Sequence, residues 1–182
     1  TVSERMMTVG PTEFTITPLS DALGAAITGI DLSRELDLDT VAALRRAWCD
    51  NLILVFPGQK ISEAEQETFC RHFGELELVR SAAKNEDHPH TLMITNVRDT
   101  GLVTALEDGE MQFHYDQCYY ERPCDGSTLY AMEVPPTGGH TQFANCHAAY
   151  ANLSDDLKRR IEGLRALNYY DYGGNPTLRP DD

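Results

Sequence analysis

The sequence lacks long apolar runs and any excess of basic residues, and each absence excludes a class of protein. The longest uncharged apolar run, residues 52–56, is far too short to span a bilayer, so no membrane partner is expected. Asp and Glu outnumber Lys and Arg by 29 to 15, and the formal net charge of −14 argues against nucleic acid as a partner. No basic segment followed by an apolar stretch is visible near Thr1, which favours a cytoplasmic protein.

The sequence also lacks paired cysteines. The cysteines number five, which is odd, and none of them forms a CxxC pair. This pattern argues against a disulfide framework and a structural zinc site, and favours reduced thiols. Internal repeats and linker-like stretches are absent as well, so residues 1–182 are expected to form a single domain.

The first part of the chain is expected to alternate between strands and helices. The alternation at residues 14–17 and the apolar run at residues 52–56 predict two strands. Between them, three apolar residues at helical spacing predict a helix that starts near Asp39. These residues are Val41, Leu44 and Trp48.

A second helix is predicted after a capping box. Ser62 and Glu65 have the spacing at which a serine and a glutamate cap a helix N-terminus reciprocally. Phe69 and Phe73 would give this helix an apolar face, and Gly74 is expected to stop it.

The rest of the chain contains more predicted strands than helices. One helix is expected after Ser154. Acidic residues follow this serine in the first turn and basic residues come later in the helix, as the helix dipole favours. Four segments are strand candidates: 91–97, 127–134, 141–144 and 167–172. The sequence therefore predicts a mainly β fold with flanking helices, a β-sandwich or jelly roll, rather than alternating βαβ units.

The residues that suggest chemistry are His114 and Asp116. On an extended strand, side chains two residues apart point to the same face, so an imidazole and a carboxylate would converge there. Two histidines and one carboxylate, with other positions open, is the arrangement of non-haem Fe(II) oxygenases. The spacing alone, however, is more typical of a hydrogen-bonded pair on the surface.

The surroundings of this pair change the interpretation, because a series of segments resembles the TauD/TfdA family, the taurine and 2,4-D dioxygenases. The similarity runs from about Phe14 to Tyr172, in the order and spacing of that family. No single segment is diagnostic, but the ordered set is a strong resemblance. The segments are 24–25, 30–32, 52–56, 73–76, 109–116, 129–135, 138–141, 143–145 and 148–150.

The resemblance implies a double-stranded β-helix, or jelly roll, that holds Fe(II) and uses 2-oxoglutarate as co-substrate. It implies that His114 and Asp116 are catalytic metal ligands and that Thr141 hydrogen-bonds a 2-oxoglutarate carboxylate. The implied reaction consumes dioxygen, releases succinate and CO2, and hydroxylates a small organic, anionic substrate. Homo-oligomer formation stays open.

The sequence also departs from the family pattern. The third iron ligand, a distal histidine, and the arginine that binds 2-oxoglutarate have no counterpart, and His140 replaces the family's aspartate before Thr141. The chain is therefore expected to be the N-terminal part of the full domain, a jelly roll lacking its C-terminal portion. The alternative is a truncated, non-catalytic jelly-roll protein that binds a metal or ligand. A zinc hydrolase is disfavoured, since two more ligands at sensible spacing are missing.

The substrate is not determined by these residues. Glu110 stands where taurine-specific members have asparagine, and residues 78–80 replace a segment that contains their histidine, so a sulfonate pocket is not expected. Candidate pocket residues are Arg80, Glu110, Tyr119 and Tyr120, although surface charge or ordinary aromatic packing explains each of them individually.

Overall fold

The computed structural model describes residues 5–9, 12–79, 86–95 and 113–168. The chain divides into two compact units, an N-terminal unit of residues 1–111 and a C-terminal unit of residues 112–182. The N-terminal unit contains β1 (Arg5–Val9), β2 (Thr12–Pro18), β3 (Ala25–Thr28), α1 (Leu38–Asn51), β4 (Leu54–Val55) and α2 (Glu63–Arg71). The described part of the C-terminal unit contains α3 (Cys146–Ala151) and α4 (Asp155–Ile161).

The N-terminal unit is built on one small mixed sheet in the order β1-β2-β3-β4. The first two pairings are antiparallel, and β3 pairs with β4 in parallel, with Ala25 opposite Leu54. A parallel pair requires a crossover connection, and the segment that includes α1 provides it. The predicted strand at residues 14–17 is confirmed as the centre of β2, whereas the predicted strand at residues 52–56 is reduced to β4.

The core of this unit lies between the sheet and α1. Phe14 and Ile27 from the sheet and Leu44 from α1 are at most 1% exposed. The predicted helix is confirmed, and it starts at Leu38 because the side chain of Asp37 accepts the backbone N–H of Thr40 as an N-cap. Apolar burial on one face of the sheet therefore fixes the position of α1.

The start of α2 is the predicted capping box. The Ser62 hydroxyl accepts the backbone N–H of Glu65, and the Glu65 carboxylate accepts the backbone N–H of Ser62 at 2.7 Å. Because the backbone N–H and then the hydroxyl of Ser62 donate to this carboxylate, they lower the pKa of Glu65 below its usual range. The capping-box prediction is confirmed.

The end of α2 differs from the prediction. The helix ends at Arg71, with His72 as its C-cap, and Gly74 lies beyond it without the left-handed backbone of a capping glycine. The Arg45 guanidinium donates to the His72 carbonyl at 2.5 and 3.1 Å and lies over the Phe73 ring. A cation from α1 thus satisfies a carbonyl at this helix terminus, so a glycine is not needed there.

Gln59 ties the segment after β4 to the loop after β3. Its amide oxygen accepts the Leu32 N–H at 2.9 Å, and its amide nitrogen donates to the Ile30 carbonyl at 2.9 Å.

Replacing Gln59 with methionine keeps the shape of the side chain but leaves both backbone groups without this partner. We expect a loss of about 1–2 kcal/mol in the free energy of unfolding, measured by urea denaturation. Gln59→Glu places a carboxylate oxygen against the Ile30 carbonyl and should also be less stable than wild type. Equal stability of all three proteins would contradict the role.

Several strand predictions in the later part of the chain are wrong or lie partly outside the described residues. Residues 127–134 and 141–144 form no strand, because no neighbouring segment in the described part of the chain pairs with them. Of residues 91–97, only 91–95 are described, and they contain a single bridge at Leu92; of residues 167–172, only 167–168 are described, and they are not in a strand. Alternating side chains suit a strand, but a strand also needs a partner to accept its backbone hydrogen bonds.

The predicted helix after Ser154 is confirmed as α4, and the Ser154 hydroxyl accepts the Leu157 N–H. The short helix α3 before it, capped by the side chain of Asn145, has no counterpart in the predicted elements. All five cysteines are free thiols. None of the helices in the described ranges combines the length and the apolar composition needed to cross a bilayer.

Candidate functional site

The candidate site centres on the His114 and Asp116 side chains in the C-terminal unit. His114 Nε2 lies 3.0 Å from Asp116 Oδ1, and each side chain is 50% exposed. The two residues do not lie in a strand, since a turn begins at Asp116. The side chains nevertheless meet as the two-residue spacing predicts, and both remain accessible to an incoming ligand.

The residues after this pair fold back towards it. The Tyr115 hydroxyl donates to the Cys124 carbonyl at 3.0 Å, and the Ser127 hydroxyl donates to Asp116 Oδ2 at 2.6 Å. The Cys124 thiol lies 3.7 Å from the Asp116 carbonyl. At the base of the turn, Gln117 adopts a positive φ of 53°, which is uncommon for a residue with a side chain. We call residues 113–127 with these contacts the HxD loop.

The separation of the two ligand atoms suits a divalent metal. In an octahedral site with metal–ligand distances of about 2.1 Å, adjacent ligand atoms lie about 3.0 Å apart, because they subtend a right angle at the metal. The distance between His114 Nε2 and Asp116 Oδ1 has this value. A hydrogen bond also has this length, so the pair can hold a proton where a metal would otherwise bind. An imidazole nitrogen and a carboxylate oxygen form a donor set that suits Fe(II).

The described residues supply only two ligands to this position. No group of three His, Cys, Asp or Glu side chains suited to a metal ion occurs within the described ranges. His140 and His147, the other histidines of the C-terminal unit, are both exposed. Within the described ranges the structure therefore brings together two side chains of types that bind metals, His114 and Asp116.

Thr141 follows a glycine turn. Gly138 and Gly139 adopt positive φ values of 76° and 64°, a backbone conformation that glycine reaches without steric cost. Thr141 is exposed and does not appear among the hydrogen-bond partners of Asp116 in the described structure. The structure thus joins His114 to Asp116 but does not join Thr141 to them, and the role of Thr141 stays a prediction.

The candidate pocket residues divide by position. Arg80 and Glu110 lie outside the described residues, whereas Tyr119 and Tyr120 follow Asp116 with ring centroids 4.7 Å apart and are half-buried. Sequence reasoning missed Ser127, which contacts the candidate ligand Asp116 from 11 positions further along the chain. No motif marks a lone serine at that distance, so only the folded loop reveals the contact.

Comparison with known proteins decides which family these residues belong to. The model of the family described as "Taurine catabolism dioxygenase TauD, TfdA family" matches residues 15–182. The chain belongs to the TauD/TfdA family. The match includes His114, Asp116 and Thr141, and it confirms the resemblance inferred from the sequence.

Two curated relatives of this TauD/TfdA chain are dioxygenases whose names include alpha-ketoglutarate (2-oxoglutarate). An (S)-phenoxypropionate/alpha-ketoglutarate-dioxygenase from Sphingobium herbicidovorans is 35% identical over 161 residues, which cover 87% of this chain and 54% of the relative. The alpha-ketoglutarate-dependent 2,4-dichlorophenoxyacetate dioxygenase of Cupriavidus pinatubonensis is 32% identical, over 84% of this chain and 57% of the relative. The chain spans about half the length of the curated relatives it matches.

A solved structure is also similar to this chain over about half of its own length. A crystal structure from Burkholderia xenovorans, assigned as an alpha-ketoglutarate-dependent taurine dioxygenase, superposes on the chain with a TM-score of 0.65 and 28% sequence identity. The superposition covers 82% of this chain and 51% of that protein. The TauD/TfdA chain therefore shares its backbone course with about half of a family member.

Proposed function

We propose that this chain is the N-terminal part of an Fe(II)- and 2-oxoglutarate-dependent dioxygenase that hydroxylates a small organic anion. The observation that carries the proposal is the 3.0 Å approach of His114 Nε2 to Asp116 Oδ1 within a segment that matches the TauD/TfdA family. The named relatives in the family are enzymes, so the alternative of a non-catalytic binding protein is not favoured.

In this proposal the chain's residues bind Fe(II) and orient 2-oxoglutarate. His114 presents an imidazole nitrogen and Asp116 a carboxylate oxygen to Fe(II), and Thr141 donates its hydroxyl to a carboxylate of 2-oxoglutarate. The second histidine and the arginine of the family have no counterpart in this sequence, so further polypeptide of the full domain would supply them. When bound, the iron and 2-oxoglutarate supply the oxidising chemistry, with dioxygen consumed and succinate and CO2 released. The half-exposed ligand pair leaves room for these groups.

The same proposal places residues 127–134 and 141–144 against further polypeptide of a complete jelly-roll domain. Large apolar side chains in these segments, Leu129, Met132 and Val134, are 65%, 71% and 74% exposed in the described structure. A monomeric domain rarely leaves a series of such side chains in water, and packing against further polypeptide would cover them. The chain matches only about half of each relative's length, which agrees with a domain that further polypeptide completes.

The relatives also suggest the class of substrate. Their names specify (S)-phenoxypropionate, 2,4-dichlorophenoxyacetate and, for a Pseudomonas putida relative 30% identical to the chain, a sulfate ester. Each of these is a small organic anion. We therefore propose a carboxylate or sulfate ester as substrate, with Tyr119 and Tyr120 as aromatic pocket residues. From the charge and the sequence pattern we also propose that the protein has no nucleic acid or membrane partner and is cytoplasmic.

The proposal is tested by adding Fe(II) and then 2-oxoglutarate, without oxygen, to the full-length protein that includes the polypeptide completing the domain. A visible metal-to-ligand charge-transfer band should appear, and admission of air with candidate carboxylates and sulfate esters should yield succinate. A folded protein that gives neither the band nor succinate would overturn the proposal. A protein that binds Fe(II) without forming succinate would instead support the non-catalytic alternative.

A further inference from the structure

We propose that Ser127 is a positioning residue that holds Asp116 as a one-oxygen ligand, an inference that rests on the function proposed above. The Ser127 hydroxyl donates to Asp116 Oδ2 at 2.6 Å, while Asp116 Oδ1 faces His114 Nε2 at 3.0 Å. The two carboxylate oxygens thus have separate partners. One oxygen is held by the protein, and the other points towards the second ligand atom.

This division matters because the carboxylate of a free aspartate rotates about its terminal bond and exchanges its two oxygens. A carboxylate can also bind a metal through both oxygens, which would occupy a second coordination position. The hydrogen bond from Ser127 withdraws Oδ2 from the metal position. The coordination position that Oδ2 would otherwise occupy then stays open for a co-substrate. Non-haem Fe(II) oxygenases need such open positions.

The short distance supports the assignment. An O–H···O⁻ hydrogen bond to an ionised carboxylate has a typical length of 2.5–2.7 Å and is about twice as strong as one between neutral groups. The contact between Ser127 and Asp116 falls within that range. Hydrogen bonds to metal-ligating carboxylates orient them, and their loss typically costs about 10- to 100-fold in metal affinity or activity.

The HxD loop explains how a distant serine reaches the carboxylate. The hydroxyl of Tyr115 donates to the carbonyl of Cys124, which brings residues 115 and 124 together. The Cys124 thiol lies 3.7 Å from the Asp116 carbonyl, a second contact between the two ends of the loop. Ser127 follows three positions later, and its hydroxyl is thereby placed on the side of Asp116 that faces away from His114 Nε2.

The test compares two variants that differ in one group. Ser127→Thr keeps the hydroxyl, whereas Ser127→Val replaces that hydroxyl with a methyl group of similar size. In anaerobic titrations of the intact protein with Co(II) and with Fe(II), Ser127→Val should bind each metal about 10-fold more weakly than wild type. Ser127→Thr should bind within about threefold of wild type. Ser127→Ala, which adds no bulk, repeats the measurement if Ser127→Val does not fold.

A second measurement separates positioning from general stability. The thermal unfolding midpoints of the metal-free proteins should agree for the threonine and valine variants, while their metal affinities and the position of the Fe(II)–2-oxoglutarate band differ. Equal metal affinities for wild type, Ser127→Val and Ser127→Ala would overturn the role of Ser127 and leave the proposed function intact. Failure of the wild-type protein to bind either metal would overturn both.

Discussion

Asp116→Ala is expected to abolish formation of the Fe(II)–2-oxoglutarate complex. The substitution removes the oxygen that lies 3.0 Å from His114 Nε2, and with it one of the two proposed metal ligands. Loss of a group that merely orients a ligand costs about 10- to 100-fold in metal affinity, so loss of the ligand itself should cost at least about 100-fold. Anaerobic Fe(II) titration, followed at the charge-transfer band, measures the loss, and His114→Ala should behave in the same way.

The matched control is Asp125→Ala in the same loop. It removes one exposed carboxylate and the same negative charge but leaves the contact between His114 and Asp116 in place. Metal affinity within about threefold of wild type is expected for this variant. If Asp116→Ala kept wild-type affinity, or if Asp125→Ala lost as much, the assignment of the ligand pair would be wrong.

Leu44→Ala is expected to lower the free energy of unfolding by about 2–5 kcal/mol. The Leu44 side chain is fully buried between α1 and the sheet, together with Phe14 and Ile27. Truncation removes apolar contacts and leaves a cavity that the surrounding sheet can close only in part. Urea denaturation of the wild-type and variant proteins measures the difference.

Leu38→Ala in the same helix is the control, because it makes the same chemical change at the surface. Leu38 is the first residue of α1 and is 85% exposed. The free energy of unfolding should change by less than about 0.5 kcal/mol, since alanine and leucine have similar helix propensities. Comparable losses for the two variants would contradict the packing described for α1.

The parts of the fold that the sequence predicted are those governed by neighbouring residues. The helical spacing of Val41 and Leu44 predicted the buried face of α1, and the Ser62–Glu65 spacing predicted a cap that forms as expected. In the candidate site, the two-residue spacing of His114 and Asp116 predicted their contact. These features depend on residues at most four positions apart, which lie close together in a helix, at a helix cap or, for His114 and Asp116, at the start of a turn.

The predictions that did not hold required a partner from elsewhere in the chain. Residues 127–134 alternate as a strand does, yet alternation cannot provide the neighbouring backbone that a strand needs. The end of α2 was expected at Gly74, but Arg45 satisfies the carbonyl of His72 from 27 positions away. A side chain that reaches across such a distance leaves no signal in the local pattern.

The sequence by itself indicated the family, the negative charge, the N-caps of α2 and α4 and the contact between His114 and Asp116, because each depends on residue type and short spacing. Only the tertiary structure decided that Ser127 contacts Asp116 and that Gln59 ties two loops together. These contacts close loops of 11 and 27 positions, and closing a loop costs chain entropy that the rest of the fold must offset. Whether such a contact forms is therefore decided by the packing around both ends and not by either segment alone.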